Sequence, residues 1–375
     1  MRHRFSLPLL AAGLSLTGGA ALAGPIFTNE NGGRVWGYGQ LNPAWLSVDD
    51  GAATTSELDD NTASNSRVGF WYEQAFANGT ELSFNVETAL GFRSTSGLSQ
   101  LNEGDRSWMD WQRTDIRKID LRLRSDYGSV FVGQGSMASD GAGQVDFSGT
   151  VLTNYVSVTD ITGRIQLRDD QGALTGIPFS DAYASYDGGR YGRFRYQTPD
   201  FGGFTASAAI GQDILSENAD ADIWDVALRY EGDIGPLRIG AGLGYQSLHR
   251  PDRPDRNDVF ASASAEHGSG VTVTAAMGNR DTDGSFSYAK LGYKGDWLPI
   301  GQTALAVDYY HGSDMALTNG ATRSESDAWG VGLVQTVEDW DLETYLGYRI
   351  YGFEDNSPTT YQDASSVILG ARWRF

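Results

Sequence analysis

The 375-residue sequence predicts an all-β fold, a 16-stranded antiparallel transmembrane β-barrel with an inward-folded third loop. Three observations lead there. Hydrophobic alternation of period 2 recurs along nearly the whole chain, with almost no helical periodicity. Short turns alternate with longer polar loops, as in barrels with one turn end and one loop end. The composition, with 48 Gly, 18 Tyr, 16 Phe and 10 Trp against 10 Pro, suits turn-rich antiparallel strands.

The first element is an export signal. Met1-Arg2-His3-Arg4 is a basic start, Phe5 to Leu16 an apolar stretch, and Ala21-Leu22-Ala23 a small-residue cleavage site before Gly24. Residues 1–23 read as a signal peptide and 24–375 as one barrel domain. An N-terminal membrane helix is the alternative, but the stretch is short and Gly13, Gly18 and Gly19 interrupt it. Losing the signal removes two basic and no acidic residues, taking the formal charge from −20 to −22. After Ala23 no run of 18 apolar residues occurs, so no transmembrane helix is expected. The mean hydropathy of −0.36 does not argue against a barrel, in which only alternate residues face lipid.

The strands follow. At the C-terminus Val367, Leu369, Ala371, Trp373 and Phe375 share one face, and Ile368, Gly370, Arg372 and Arg374 the other. Val68, Phe70 and Tyr72 oppose Arg67, Gly69, Trp71 and Glu73; Ile119, Leu121 and Leu123 oppose Lys118, Asp120, Arg122 and Arg124. Sixteen such segments run at about 35–47, 65–77, 80–92, 113–125, 128–135, 190–199, 203–211, 222–231, 236–248, 257–267, 270–279, 285–295, 302–312, 326–337, 341–352 and 364–375. An even count leaves both termini on the periplasmic side, where the first and last strands pair and remove the sheet's edges. The longer polar loops are expected at 48–64, 93–112, 212–220, 248–257, 312–325 and 353–363. A soluble β-sandwich or propeller also alternates. It explains neither the turn/loop asymmetry nor a second face carrying Arg67 and Glu87, which asks for a water-filled lumen.

Residues 136–189 break the rhythm. Connections this long are functional or disordered, and apolar anchors such as Val145, Phe147, Leu152, Tyr155 and Ile161 speak for a packed segment. Folded inward, it narrows the lumen; the alternative is an external flap. Asp140, Asp146, Asp160, Asp169, Asp170, Asp181 and Asp187 are spread through it.

Other chemistries fit poorly. The acidic balance excludes a generic nucleic-acid backbone binder. No cysteine means no thiol chemistry, disulfide framework or Cys-ligated metal. His249, His267 and His311 lie in separate segments, and neither HExxH nor GxSxG occurs, so no enzyme is expected. A phosphate channel would line its pore with Lys and Arg, whereas the loop is acidic. A sugar channel would carry an aromatic ladder, and Trp71 and Trp329, read as inward, are too scattered for one. No cofactor is expected. Weak Ca²⁺ binding by aspartate-rich loops fits their oxygen ligands, although EF-hand spacing is absent.

Four short motifs, in this order, carry a resemblance. They are Ser66-Arg67-Val68-Gly69-Phe70; Gly133-Gln134-Gly135-Ser136 leading to Asp146-Phe147-Ser148-Gly149-Thr150; Arg195-Tyr196-Gln197-Thr198-Pro199-Asp200-Phe201-Gly202-Gly203-Phe204; and the terminal Arg372-Trp373-Arg374-Phe375. Together they resemble the general diffusion porins of the Gram-negative outer membrane, most of all the Rhodobacter-like porins of alphaproteobacteria. The resemblance implies a trimeric barrel set among outer-membrane lipid and lipopolysaccharide. It implies a third external loop in the pore, with basic wall residues facing acidic loop residues. It also implies a C-terminal assembly signal, Phe375 with Trp373, read by the outer-membrane assembly machinery. By position Arg67 matches the second-strand wall arginine, and Arg190 lies near a third one. Strand parity adds Lys118, Arg122 and Arg124 to the inner wall. Asp140, Asp146 and Asp160, which flank the anchored part of the loop, are the expected acidic constriction residues. The expected function is passive diffusion of small hydrophilic solutes and ions, with cations preferred.

Overall fold

Sixteen strands close into one antiparallel barrel in the computed structural model, which describes residues 26–217, 221–251, 253–318 and 320–375. The signal peptide assigned to residues 1–23 lies outside the described residues. Strand β1 is split into Arg34–Leu41 and Pro43–Asp49, and β2 into Thr54–Asp60 and Arg67–Ala75. Then follow β3 (Glu81–Ala89), β4 (Ile116–Ser125), β5 (Gly128–Ser136), β6 (Arg190–Gln197), β7 (Phe204–Gln212) and β8 (Asp222–Ile234). The second half is β9 (Leu237–Arg250), β10 (Arg253–His267), β11 (Val271–Arg280), β12 (Ser285–Leu298), β13 (Gly301–Ser313), β14 (Ser324–Val337), β15 (Leu342–Asp355) and β16 (Ala364–Arg374). Each strand pairs with its chain neighbours, and β16 returns to β1 through Gly370↔Ala44 and Leu369↔Trp45.

Side-chain alternation sets the two faces. On β4 Ile119, Leu121 and Leu123 are 42–48% exposed on the outside, while Lys118, Asp120, Arg122 and Arg124 turn inward. The same outward band continues through Phe194, Ile210, Trp224, Val273, Leu291, Val331, Leu346 and Leu369. Apolar groups outside and polar groups inside reverse a soluble protein's arrangement and fit lipid around a wet lumen. No helix of the described residues is long and apolar enough to cross a membrane; the crossing is by strands.

Three expectations change. The loop expected at 248–257 is taken up by the ends of β9 and β10, which stay paired out to Arg250↔Arg253. The loop expected at 48–64 contains the strand Thr54–Asp60, which pairs with Pro43–Asp49 and leaves only a tight turn at 50–53. Its inward carboxylates are matched from the next external loop: Arg93 lies 2.9 Å from Glu57 and 2.8 Å from Asp59, and Arg106 bonds both. Trp329 faces outward, 52% exposed and packed on Tyr309, so it belongs to the outer surface and not to the lumen.

Residues 137–189, the third external connection, lie along the inner wall. The segment holds a small hairpin (Gln166–Arg168 with Leu174–Pro178) and one helical turn (Phe179–Ala182). Ser139 bonds Asp225 on β8, Val145 and Phe147 bond Ser262 and Ser264 on β10, and the Ser326 and Tyr310 hydroxyls donate to the Ala182 and Ala184 carbonyls. Its apolar residues Leu152, Val156, Ile161, Ile165, Phe179 and Tyr183 form the core with Leu46, Val48, Tyr310 and Tyr351 of the strands. Glycines make this possible. A Cβ on Gly242 would stand 2.5 Å from the Ala142 carbonyl oxygen, so at that point the wall takes the loop backbone because it lacks a side chain.

Candidate functional site

Strand register assembles a cluster of charged side chains on the inner wall. Tyr38, Gly69, Glu87 and Lys118 form one row across β1 to β4. Glu87 is its hub. The Tyr38 hydroxyl donates to it at 2.9 Å, Arg117 Nε lies 2.7 Å away and Arg67 Nε 3.6 Å. Arg117 is there because of a bulge: Glu87 pairs with Lys118 but Thr88 pairs with Ile116, so Arg117 is the extra residue. Simple alternation would have put it outside. Arg190, at the start of β6, completes the wall and reaches across to Asp140 of the loop, Nε to Oδ2 3.8 Å.

The loop face is held from behind. Asp225 accepts from the Ala138 and Ser139 amides at 3.1 and 2.7 Å, and Arg229 donates to the carbonyls of Ala138 and Asp140, each at 2.8 Å. Asp187 accepts from the Gly141 and Gly143 amides at 2.7 and 2.8 Å and so shapes the turn that presents Asp140. Further along, Asp160 accepts from the Ser157 hydroxyl at 2.5 Å. Burial pushes its carboxyl up to about 6. Asp187 is raised too, by burial and then by the charge of Asp140. Tyr155 stands among Asp160, Asp187 and Asp140 and bonds Gln144; burial first, then these acids, hold its hydroxyl protonated.

The expected site residues therefore separate. Arg67, Lys118, Arg190 and Asp140 come together, with Arg117, Glu87 and Tyr38 added. Arg122 faces the lumen but pairs with Ser83, four residues along β3 from Glu87, about 13 Å toward the periplasmic turns. Asp146 does not line the aqueous constriction. Its side chain is 2% exposed and ion-paired to Lys290 of β12, itself 0% exposed, which also donates to the Asn154 carbonyl at 2.6 Å. A buried carboxylate needs such a partner, and Lys290 lies 144 residues away, beyond any local motif. Asn154 in turn donates at 2.8 Å to Asp308, which Arg349 grips through both oxygens at 2.7 and 2.8 Å.

No group of three His, Asp or Glu side chains among the described residues is placed to hold a metal ion. Among the described residues there is one acid–imidazole–hydroxyl chain. On the outward face His311 lies 3.0 Å from Asp327 and 3.2 Å from Ser313, near Trp329. The C-terminal residue closes the barrel seam: Phe375 and Gly39 exchange backbone hydrogen bonds of 3.0 and 2.7 Å, and the Trp373 ring packs 5.0 Å from that of Phe375.

Residues 10–356 match the Gram-negative porin family. No curated protein sequence matches. Among solved structures, the fold is similar to the anion-selective porin from Comamonas acidovorans, with a TM-score of 0.60, 19% identity, and 92% of this chain and 100% of that one covered. It is also similar to the trimer form of in-vitro folded OmpT from Vibrio cholerae (TM-score 0.55, 16% identity, 92% and 99% covered). For Salmonella typhi OmpF in complex with daunomycin the TM-score is 0.58, with 11% identity and 94% and 100% covered. These likenesses are of fold. With the family match over most of its length, the chain belongs to the Gram-negative porin family and is a multi-pass outer-membrane β-barrel channel.

Proposed function

We propose that this channel passes small hydrophilic solutes and ions by diffusion, as a homotrimer, and that it prefers anions. The observation that carries the reading is the inner wall, where the four cations Arg67, Arg117, Lys118 and Arg190 face the two carboxylates Glu87 and Asp140. The cation preference expected from the acidic composition is set aside in this reading for two reasons. Lys290 neutralises Asp146, and Arg190 shares Asp140. Opposed charge faces at a water-filled narrowing select by sign as well as size. The Comamonas acidovorans porin, described as anion-selective, is a similar fold with that property.

The test is the reversal potential across a planar bilayer under a KCl gradient. Anion preference is expected at pH 7, strongest at low salt. Asp160 is charged above about 6 and neutral below, so anion preference should grow as pH falls from 8 to 5. Asp160→Asn should flatten that response. A cation-selective channel at pH 7 would overturn the electrostatic reading.

The trimer rests on an apolar outward patch at the seam: Trp45, Leu58, Leu369 and Trp373 are 42–54% exposed, and Trp45 is in register with both leucines. A second reading, a barrel enzyme, has the Asp327–His311–Ser313 chain as its one observation. It requires ester hydrolysis by the purified barrel that Ser313→Ala abolishes. The channel reading is preferred because that chain faces away from the lumen.

A further inference from the structure

Below the constriction, register aligns Ser83, Arg122, Phe131 and Arg195 across β3 to β6. Three guanidinium groups surround one ring: the carbons of Arg122, Arg193 and Arg195 lie 5.4, 5.8 and 4.9 Å from the Phe131 centroid. Arg193 is fully engaged, 1% exposed, 2.9 Å from Asp120 and bonded to the Gly133 and Ser136 carbonyls. The other two are not. Arg195 bonds only neutral acceptors, the Met137 carbonyl at 3.1 Å and Gln197 at 2.7 Å, and its buried Nε has no partner. Arg122 has only the Ser129 hydroxyl, at 3.2 Å. Among the described residues neither forms a salt bridge. The next cation down the wall, Arg124, is 3.8 Å from its nearest carboxylate, Glu81.

Like charges held this close repel one another. An aromatic face and neutral acceptors fix the guanidiniums in place without cancelling their charge. The result is a preformed set of forked donors, the geometry that suits paired anionic oxygens and not a spherical halide. We propose that Arg122 and Arg195, mounted on Phe131, form a binding site for small multivalent oxyanions, phosphates or dicarboxylates, on the periplasmic side of the constriction. The site rests on the anion preference proposed above and extends it: an anion that has crossed the narrow part is held on the way in.

The test is titration of single-channel KCl conductance at pH 7.5 with potassium phosphate and, separately, with potassium succinate. Saturable block by at least one is expected. Block by phosphate alone assigns a tetrahedral anion, and block by succinate alone a dicarboxylate. The half-blocking concentration should rise at least tenfold in R122Q/R195Q. Arg122→Lys keeps the charge and loses the fork, so it should weaken block several-fold, and it carries the test if the double variant forms no channels. No saturable block by either anion overturns the proposal. So does an unchanged half-blocking concentration in variants that still conduct. A cation-selective wild type that still shows saturable block would sink the selectivity reading and leave the site standing.

Discussion

Asp146→Ala is expected to weaken the folded barrel by about 3–5 kcal/mol, because it leaves the Lys290 ammonium buried without a counter-charge. Lys290 is 0% exposed, and its other contact, the Asn154 carbonyl, is neutral. The single change Lys290→Met should cost less, since a stranded carboxylate can take up a proton. Asp146→Ala combined with Lys290→Met should cost well below the sum of the two, as removing both members of a buried pair often costs little. The measurement is equilibrium unfolding of the three variants in detergent micelles. A second readout follows from where the pair sits. Asp146 and Asn154 pin the same stretch of loop to β12 and β13, so freeing one should raise single-channel conductance and its noise. A loss within about 0.5 kcal/mol, the size of an ordinary surface change, with unchanged conductance would place the anchor elsewhere.

That pair also marks where sequence reading stops. Alternation made the strands legible, because lipid outside and water inside impose opposite demands on successive residues. It located β4 with the right face for Lys118 and Arg122, and β16 with Leu369 and Trp373 outward. The long interruption between β5 and β6 was legible from length alone. What periodicity could not show was any feature set by a distant partner. Thr54–Asp60 reads as loop because Glu57 and Asp59 are polar on the inner face, and their match is Arg93 and Arg106 in another loop. Asp146 reads as a pore carboxylate because Lys290 is far along the chain. Arg117 was missed for a local reason: a one-residue bulge reverses the parity that placed Lys118 inside. Each of these features is set by a partner or a bulge that periodicity does not reveal, so the strands are readable from the sequence and the pairing of the inner charges is not.

Deleting Phe375 is expected to lower the yield of heat-resistant trimer several-fold in outer-membrane fractions. Two roles meet at this residue. As the terminal aromatic it fits an assembly signal, and in the barrel it is a seam residue. The lower part of the β1–β16 seam is thin: Gln40↔Arg374 and Leu41↔Trp373 pair, and Phe375 adds two backbone bonds to Gly39. Such bonds are worth about 1 kcal/mol each, and the ring covers Gly39 so closely that a Cβ there would stand 2.6 Å from it. Deletion therefore loosens the closure, and with it the patch of Trp45, Leu369 and Trp373 offered to a neighbouring subunit. Refolding purified chain into detergent, with no assembly machinery present, separates the roles. If Phe375 serves only as a signal, the deletion variant refolds and trimerises like the wild type. If the seam matters, trimer yield falls there too, and Gly39→Ala, which leaves the C-terminus intact, reproduces part of the defect by pushing the ring away. Unchanged trimer in both settings would remove both roles and leave Phe375 an ordinary strand end.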